Sequence, residues 1–287
     1  MNIKPMLAHV YTKSRLDFQD PNGMPVIQPK LDGVRCIFTK DGAYSRAGNK
    51  FMNIEHIEEQ LKEFFDKNSH IVLDGELYNH ELKDDFEKII SLVRKQKPTK
   101  KDKTEASKKV QYHIYDFIPA KPSLNRLYKY RHDKLHIWFN KEKYVDTSIK
   151  LVKTNPCADE KIAEKFHKSF LNEGYEGSIL RKNAFYKQKR SWNLQKIKDF
   201  NDTEATIIGY EIGKGKREGT IGKFIMQDDD GVEFGCPPGK GYTYKDMKDM
   251  LENIDDYIGE RATFTYFQKT KAGSYRHPLF KGLRNYE

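Results

Sequence analysis

The hydrophobic period of the chain changes near residue 199, and that change restricts it to few architectures. Before it, strand-like and helix-like segments alternate. Residues 25–30 and 33–39 read as strands, followed by a hairpin turn at Asp41-Gly42. Ile54, Ile57, Leu61, Phe64 and Phe65 recur at helical spacing over 53–66, and a strand over 70–78 ends in the acidic segment DGEL. Further expectations are a helix over 83–95, a strand over 110–118, a helix from a Ser123 cap to about Phe139 and a strand near 144–153. A helix over 159–173 and strands at 176–181 and 194–198 complete this part. The Lys-rich stretch 95–109, KQKPTKKDKTEASKK, reads as a solvated loop, with a DNA-touching loop as the other reading. After Asp199 come short strands, ATIIGYEI, KFIMQDD, VEFGC and RATFTYFQ, separated by Gly-rich turns and interrupted by one helix near 243–252.

Five or so short strands with one helix suit a small Greek-key barrel of the OB type. The expected class is therefore α+β, with domains at 1–199 and 200–287. No internal repeat is visible.

Composition narrows the function. The 287 residues carry a formal net charge of +10, which favours a polyanionic partner because Lys and Arg neutralise phosphates. An anionic membrane is the rival, but no strongly amphipathic cationic helix supports it, and a merely basic surface is a third reading. Cys36, Cys157 and Cys236 are far apart and odd in number, which argues against a disulfide framework or a zinc site. Neither a signal-peptide core nor a bilayer-length apolar run is visible, so an intracellular location, in cytoplasm or nucleoid, is expected.

The sharpest motif is KLDGVR, residues 30–35, which sets a lysine at a strand end before a tight Asp-Gly turn. Alone it also fits an exposed turn lysine in a hairpin. Five more segments follow in order: SRAGN (45–49), LDGELY (73–78), YHIYDF (112–117), EGSILR (176–181) and LQKIKDF (194–200). A lysine that attacks a phosphate must shed its proton, which nearby cations or desolvation promote; Arg35, Lys196 and Lys198 are the cations available. Carboxylates at predicted strand ends, Glu76 and Glu176, suit a divalent metal that neutralises phosphates.

This series resembles the covalent nucleotidyltransferases, which comprise DNA ligases, RNA ligases and mRNA capping enzymes, and it extends over nearly the whole chain. The resemblance implies an ATP-grasp-like nucleotidyltransferase (adenylation) domain followed by an OB-fold domain. It implies that Lys30 forms a lysyl-AMP phosphoramidate and that Asp32 positions metal or a 3′-hydroxyl. Arg35, Arg46 and Arg190 would contact phosphates, Glu76 the ribose or metal, Tyr115 the adenine face, Glu176 the metal, and Lys196 and Lys198 the α-phosphate. Each has a plainer reading: Arg46 beside a turn, Tyr115 as core aromatic, Glu176 as a turn cap, and Lys196 and Lys198 as solvated charge on a strand.

The ends of the chain choose the branch. KPMLAHV (4–10) resembles the opening of many ATP-dependent DNA ligase catalytic domains, and FNDTEATIIGY (200–210) the entry into their OB domain. YRHPLFKGLR (275–284) resembles the last ligase motif, with Arg276 and Arg284 orienting the departing pyrophosphate and residues 199–202 as hinge. The compact stretch GKGKREGT (213–220) and the absence of a domain before KPMLAHV point to the minimal ligases of viruses and bacteria. The expectation is a monomer that uses ATP and Mg²⁺ or Mn²⁺ to seal nicked duplex DNA. The alternatives are an RNA-sealing ligase, a GTP-dependent capping enzyme, and a non-catalytic basic OB-type DNA-binding protein.

Overall fold

The computed structural model describes residues 3–83, 85–119, 125–239, 241–270 and 272–284. The chain divides into two compact units, Met1–Lys198 and Asp199–Glu287, so the break falls one residue before the boundary expected from the sequence.

Unit 1 is built on two five-stranded sheets. The first holds β1 (Leu7–Val10), β2 (Val26–Lys30), β8 (Asn155–Pro156), β9 (Gly177–Arg181) and β10 (Arg190–Ile197), in the order β1-β10-β9-β2-β8. The second holds β3 (Val34–Thr39), β4 (Gly42–Tyr44), β5 (Ile71–Tyr78), β6 (Gln111–Pro119) and β7 (Ile149–Leu151), in the order β4-β3-β5-β6-β7. Alternation along each strand sends one set of side chains to helices and the other to the opposite sheet. Helices α1 (Glu55–Lys67), α2 (Phe86–Val93), α3 (Lys100–Lys109) and α4 (Tyr128–Phe139) belong to the second sheet's layer, and α5 (Glu160–Asn172) packs against β9 and β2. The apolar stripe of α1, Ile57, Leu61, Phe64 and Phe65, is buried with Phe38, Leu73 and Tyr112 of the sheet. Each such side chain contributes roughly 1.5–3 kcal/mol. Between the sheets lies a smaller cluster of Met6, Ile37, Val72, Ile118, Tyr186 and Leu194.

The β2–β3 connection, residues 31–33, crosses from one sheet to the other. Gly33 is required there: a Cβ would stand 2.4 Å from the Leu77 carbonyl oxygen and 2.7 Å from Glu76 Cγ. β6 carries a bulge: Asp74 pairs with Asp116 while Gly75 pairs with Ile114, so Tyr115 is the extra residue. A bulge shifts alternation by one residue. Tyr112, Ile114 and Phe117 accordingly join the helix-side core, while Tyr115 and Asp116 both contact residues on the inter-sheet side.

Unit 2 is an antiparallel sheet of β11 (Asn201–Ile212), β12 (Ile221–Gln227), β13 (Glu233–Cys236), β14 (Arg261–Tyr266) and β15 (Leu279–Leu283), in the order β13-β12-β11-β14-β15. A bridge between Pro238 and Phe280 joins its two edges and closes a small barrel. Helix α6 (Tyr244–Glu252) places Met247 and Met250 in the core with Phe224, Phe264 and Phe280.

Three expectations need correction. The stretch 95–109 is not a loop throughout, because Lys100–Lys109 is helical. Thr99 and Asp102 form a reciprocal capping box, Ala106 is buried, and Lys and Ala are strong helix formers. The helix expected from Ser123 begins at Tyr128; Ser123 itself lies outside the described residues. The strand expected over 144–153 shrinks to Ile149–Leu151, preceded by a single 3-10 turn at Glu142–Tyr144. All three cysteines are free and buried. Among the described residues no helix is long and apolar enough to cross a membrane.

Candidate active site

Lys30 ends β2, where a proline at position 29 is tolerated because β8 pairs only with Val26 and Ile27 and demands no further N–H donor. On the other side, Lys30 lies opposite Gly177 of β9, and the Glu176 N–H donates to the Lys30 carbonyl at 3.1 Å. Gly177 has φ +146° and a Cβ there would meet the Ile197 carbonyl oxygen at 2.3 Å, so only glycine lets the three strand ends approach this closely. Their side chains then meet: the Glu176 carboxylate, 5% exposed, accepts ion pairs from both the Lys30 and the Lys198 ammonium groups.

Across the inter-sheet gap, Arg35 pairs with Glu76 in the β3–β5 register. The Arg35 guanidinium grips Asp74 bidentately at 2.6 and 2.6 Å and donates to the Met6 carbonyl at 3.1 Å. It also lies 4.9 Å from the Tyr115 ring centre. The Tyr115 hydroxyl donates to Glu76 Oε2 at 3.2 Å. Burial pushes the Glu76 carboxyl up to about 7, against the pull of Arg35 and Lys30. An open cleft lies between these groups.

Of the residues singled out in the sequence, Lys30, Arg35, Arg46, Glu76, Tyr115, Arg190 and Lys196 line that cleft. Glu176 and Lys198 are not among the lining residues; Glu176 is the ion-pair partner of Lys30 and also pairs with Lys198. Asp32 is half-buried on the crossing turn and is not among the lining residues. Arg46 is exposed just after β4, and the Arg190 guanidinium donates to the Ala8 carbonyl. Arg276 and Arg284 belong to unit 2. The Arg276 guanidinium lies 5.5 Å from the Phe267 ring centre, and Arg284 pairs with Glu204.

Sequence reasoning missed Gln28 and Arg181, which line the cleft and are 2% and 2% exposed. Arg181 donates to Asp116 Oδ2 at 2.7 Å, and Asp116 also accepts from Arg131 Nε at 2.7 Å and Nη2 at 3.0 Å. Gln28 donates to the Tyr128 hydroxyl at 3.1 Å and to Thr154 Oγ1 at 2.9 Å. The available signal was position: Gln28 is two residues before Lys30, and Arg181 ends the quoted EGSILR segment.

Among the described residues no three His, Cys, Asp or Glu converge on a common point. Mg²⁺ does not need such a cage, since one or two carboxylates, waters and substrate phosphates suffice. Glu76 and Glu176 fit that donor set.

The chain is similar to known proteins in both units. Residues 5–198 match the family model described as ATP dependent DNA ligase domain, and residues 212–284 the one described as DNA ligase OB-like domain. A DNA ligase of African swine fever virus is 28% identical over 266 residues, which cover 88% of this chain and 60% of the viral one. The chain thus spans about three-fifths of the length of those viral relatives. A DNA ligase of Haemophilus influenzae is 26% identical over 277 residues, covering 96% of this chain and 90% of the relative. Among solved structures, one described under Lig E DNA ligases superposes with a TM-score of 0.79 at 24% identity, over 99% of this chain and 100% of that one. The Chlorella virus DNA ligase-adenylate gives a TM-score of 0.53 at 23% identity, over 98% and 99%. The first family model alone takes in well over half of the chain, and the chain belongs to the ATP-dependent DNA ligase family.

Proposed function

We propose that the chain seals 3′-hydroxyl/5′-phosphate nicks in duplex DNA at the expense of ATP. The observation that carries this reading is the Lys30 amine at the junction of two sheets, paired to buried Glu176 and facing a cleft shared with Glu76, Tyr115 and Lys196. In the first step Lys30 Nζ attacks the α-phosphorus of ATP, a P–N bond forms, and the P–O bond to pyrophosphate breaks. The 5′-phosphate of the nick then takes AMP from Lys30 and restores the amine. Attack of the 3′-hydroxyl on that phosphate finally releases AMP.

An ammonium paired to a carboxylate keeps its proton, so the Lys30–Glu176 pair must open before attack. Lys196 and Arg190 line the cleft as donors for phosphate oxygens. Tyr115, held between the Arg35 guanidinium and Glu76, offers a ring face for a base. Glu76 and Glu176 would hold Mg²⁺ or Mn²⁺, which supplies charge neutralisation for the phosphates. Arg276 and Arg284 serve the departing pyrophosphate. The reading takes the protein as a monomer acting on DNA inside the cell.

The match of residues 212–284 to a DNA ligase OB-like model supports this over an RNA-sealing or GTP-dependent capping enzyme, and the cleft around Lys30 supports it over a non-catalytic DNA-binding protein. The test is incubation with labelled ATP or GTP, denaturing electrophoresis, and a sealing assay on nicked DNA and nicked RNA. Label from ATP only, lost in Lys30→Ala, together with sealing of DNA, is expected. Label retained by Lys30→Ala, or sealing of RNA alone, would overturn the reading.

A further inference from the structure

The helix α3 found where a loop was expected has its charges sorted by face. Arg94 to Lys109 contains eight Lys or Arg and two acidic residues. Some of this charge is neutralised locally: Lys95 pairs with Asp102, Lys103 with Glu55, and Lys88 and Lys109 both with Glu105. Lys100, Lys101 and Lys108 are exposed, and among the described residues no ion pair involves them. At about 100° per residue these three span an arc of about 100°, with Thr104 between them and buried Ala106 on the far side. With Lys88, Thr104 and Glu105 they line a shallow open concavity, in which Glu105 is already paired to Lys88 and Lys109.

The helix that presents them is fixed. Its capping box closes the first turn, and Asn53 Nδ2 donates to the Leu92 carbonyl at 2.9 Å and to the Asp102 carbonyl at 3.4 Å, tying α2 to α3. A groove also leads toward it from the nucleotide cleft, with Arg46, Lys50 and Arg94 along it. Arg35, Arg46 and Glu76 are shared between that cleft and a second groove, which runs on to Lys50, Arg94 and Gln96. The Lys95–Asp102 pair then joins the end of that groove to the first turn of α3. Like charges crowded on one helical face repel one another, and a polyanion relieves the repulsion while shedding its counterions.

We propose that the Lys100, Lys101 and Lys108 face of α3 holds the phosphodiester backbone of duplex DNA beside the nick. The proposal rests on the ligase reading and adds a surface outside the nucleotide cleft. Contacts of this kind position the duplex without reading its sequence.

The test is a titration of nicked duplex DNA against the whole protein over a range of salt concentrations, comparing wild type with Lys100→Gln/Lys101→Gln/Lys108→Gln. Glutamine removes the charge and keeps helix propensity. Each lost phosphate contact lowers the slope of log affinity against log salt by about 0.9, so the triple variant should be shallower by about 2.7. Between about 50 and about 200 mM salt, its affinity deficit should then shrink roughly 40-fold. A control triple on α5, Lys161→Gln/Lys165→Gln/Lys168→Gln, removes equally exposed charge from the other sheet's layer and should keep the wild-type slope. The single variants Lys101→Gln and Lys108→Gln should each show about one third of the effect, which guards against misfolding of the triple. Lysyl-AMP formation, which needs no DNA, should be unchanged in all of them. A slope change below about 1 in the α3 triple, or an equal change in the α5 control, overturns the proposal. Absence of lysyl-AMP in the wild type would instead count against the ligase reading, and the binding slopes are read independently of it.

Discussion

Asp116 offers the severest test of how unit 1 holds its site. Its carboxylate is 0% exposed and serves two guanidiniums, Arg131 and Arg181, whose side chains are 1% and 3% exposed. Oδ1 also accepts from the Phe117 N–H at 2.8 Å. Removing one member of a buried ion pair costs about 3–5 kcal/mol, because the survivor is left desolvated without a partner. Here one anion compensates two cations, so Asp116→Ala belongs at the upper end, about 5 kcal/mol. Asp116→Asn keeps the shape and one acceptor but turns an NH₂ toward a guanidinium, and about 3 kcal/mol is expected. Typical domains are stable by about 5–15 kcal/mol, so the alanine variant should be marginal. Tryptophan fluorescence reports on this unit alone, since the chain has two tryptophans, Trp138 and Trp192, and both precede residue 199. Urea melts should show the Asn variant shifted by about 3 kcal/mol, or roughly 6–12 °C in a thermal scan. Adding Arg131→Met should restore about 1–3 kcal/mol, because one stranded charge leaves with it. A shift below about 1 kcal/mol for Asp116→Asn, or strict additivity in the double variant, would refute the reasoning.

Two further predictions concern Glu76 and Arg284. Burial raises the Glu76 carboxyl from an ordinary 4.5 to about 7, so the folded state holds its proton more tightly than the unfolded one. That contribution to stability is full below about 4.5 and is lost as pH rises through about 7, for a total of order 3 kcal/mol. Glu76→Gln should therefore flatten the stability curve in that window, and parallel wild-type and variant curves from about pH 5 to about pH 8 would contradict the assignment. Arg284→Ala should slow lysyl-AMP formation while leaving sealing of a pre-adenylated nick largely intact, as single-turnover rates on both substrates would show. Glu204→Gln removes one partner of Arg284 within unit 2 and serves as the structural control; if it reproduces the alanine phenotype, Arg284 acts through packing.

The parts legible in the sequence are those whose cause is local. KLDGVR marks a strand end, a turn and a strand start, and the structure places them as the crossing between two sheets. EGSILR and LQKIK read as strands, and the glycine at 177 is required by the approach of Ile197. The bulge at Tyr115 was not legible, because one extra residue in β6 leaves the β-forming run VQYHIYDFI looking like ordinary alternation. Asp116 and Arg181 are not legible for a different reason: the ion pairs of Asp116 reach residues 15 and 65 positions away in the chain. The helix over 100–109 carries a T-x-x-D cap at Thr99–Asp102, but the density of lysines gives the stretch the composition of a solvated loop. In unit 2, β15 lay inside a segment noticed for its arginines, and its role in closing the barrel depends on pairing with β14 and Pro238.

The burial of the three cysteines has a practical consequence. Cys36, Cys157 and Cys236 are each 0% exposed, and burial pushes the thiols up, to about 11 for Cys157 and about 12 for Cys236. Thiolate is the reactive form, so the native protein should be nearly inert to maleimides. A cysteine introduced at an exposed position of either unit would then be the single labelling site without any native thiol being removed. A dye on α5 paired with one on α6 would let energy transfer follow the two units through the proposed adenylation, DNA binding and sealing in an otherwise unaltered sequence.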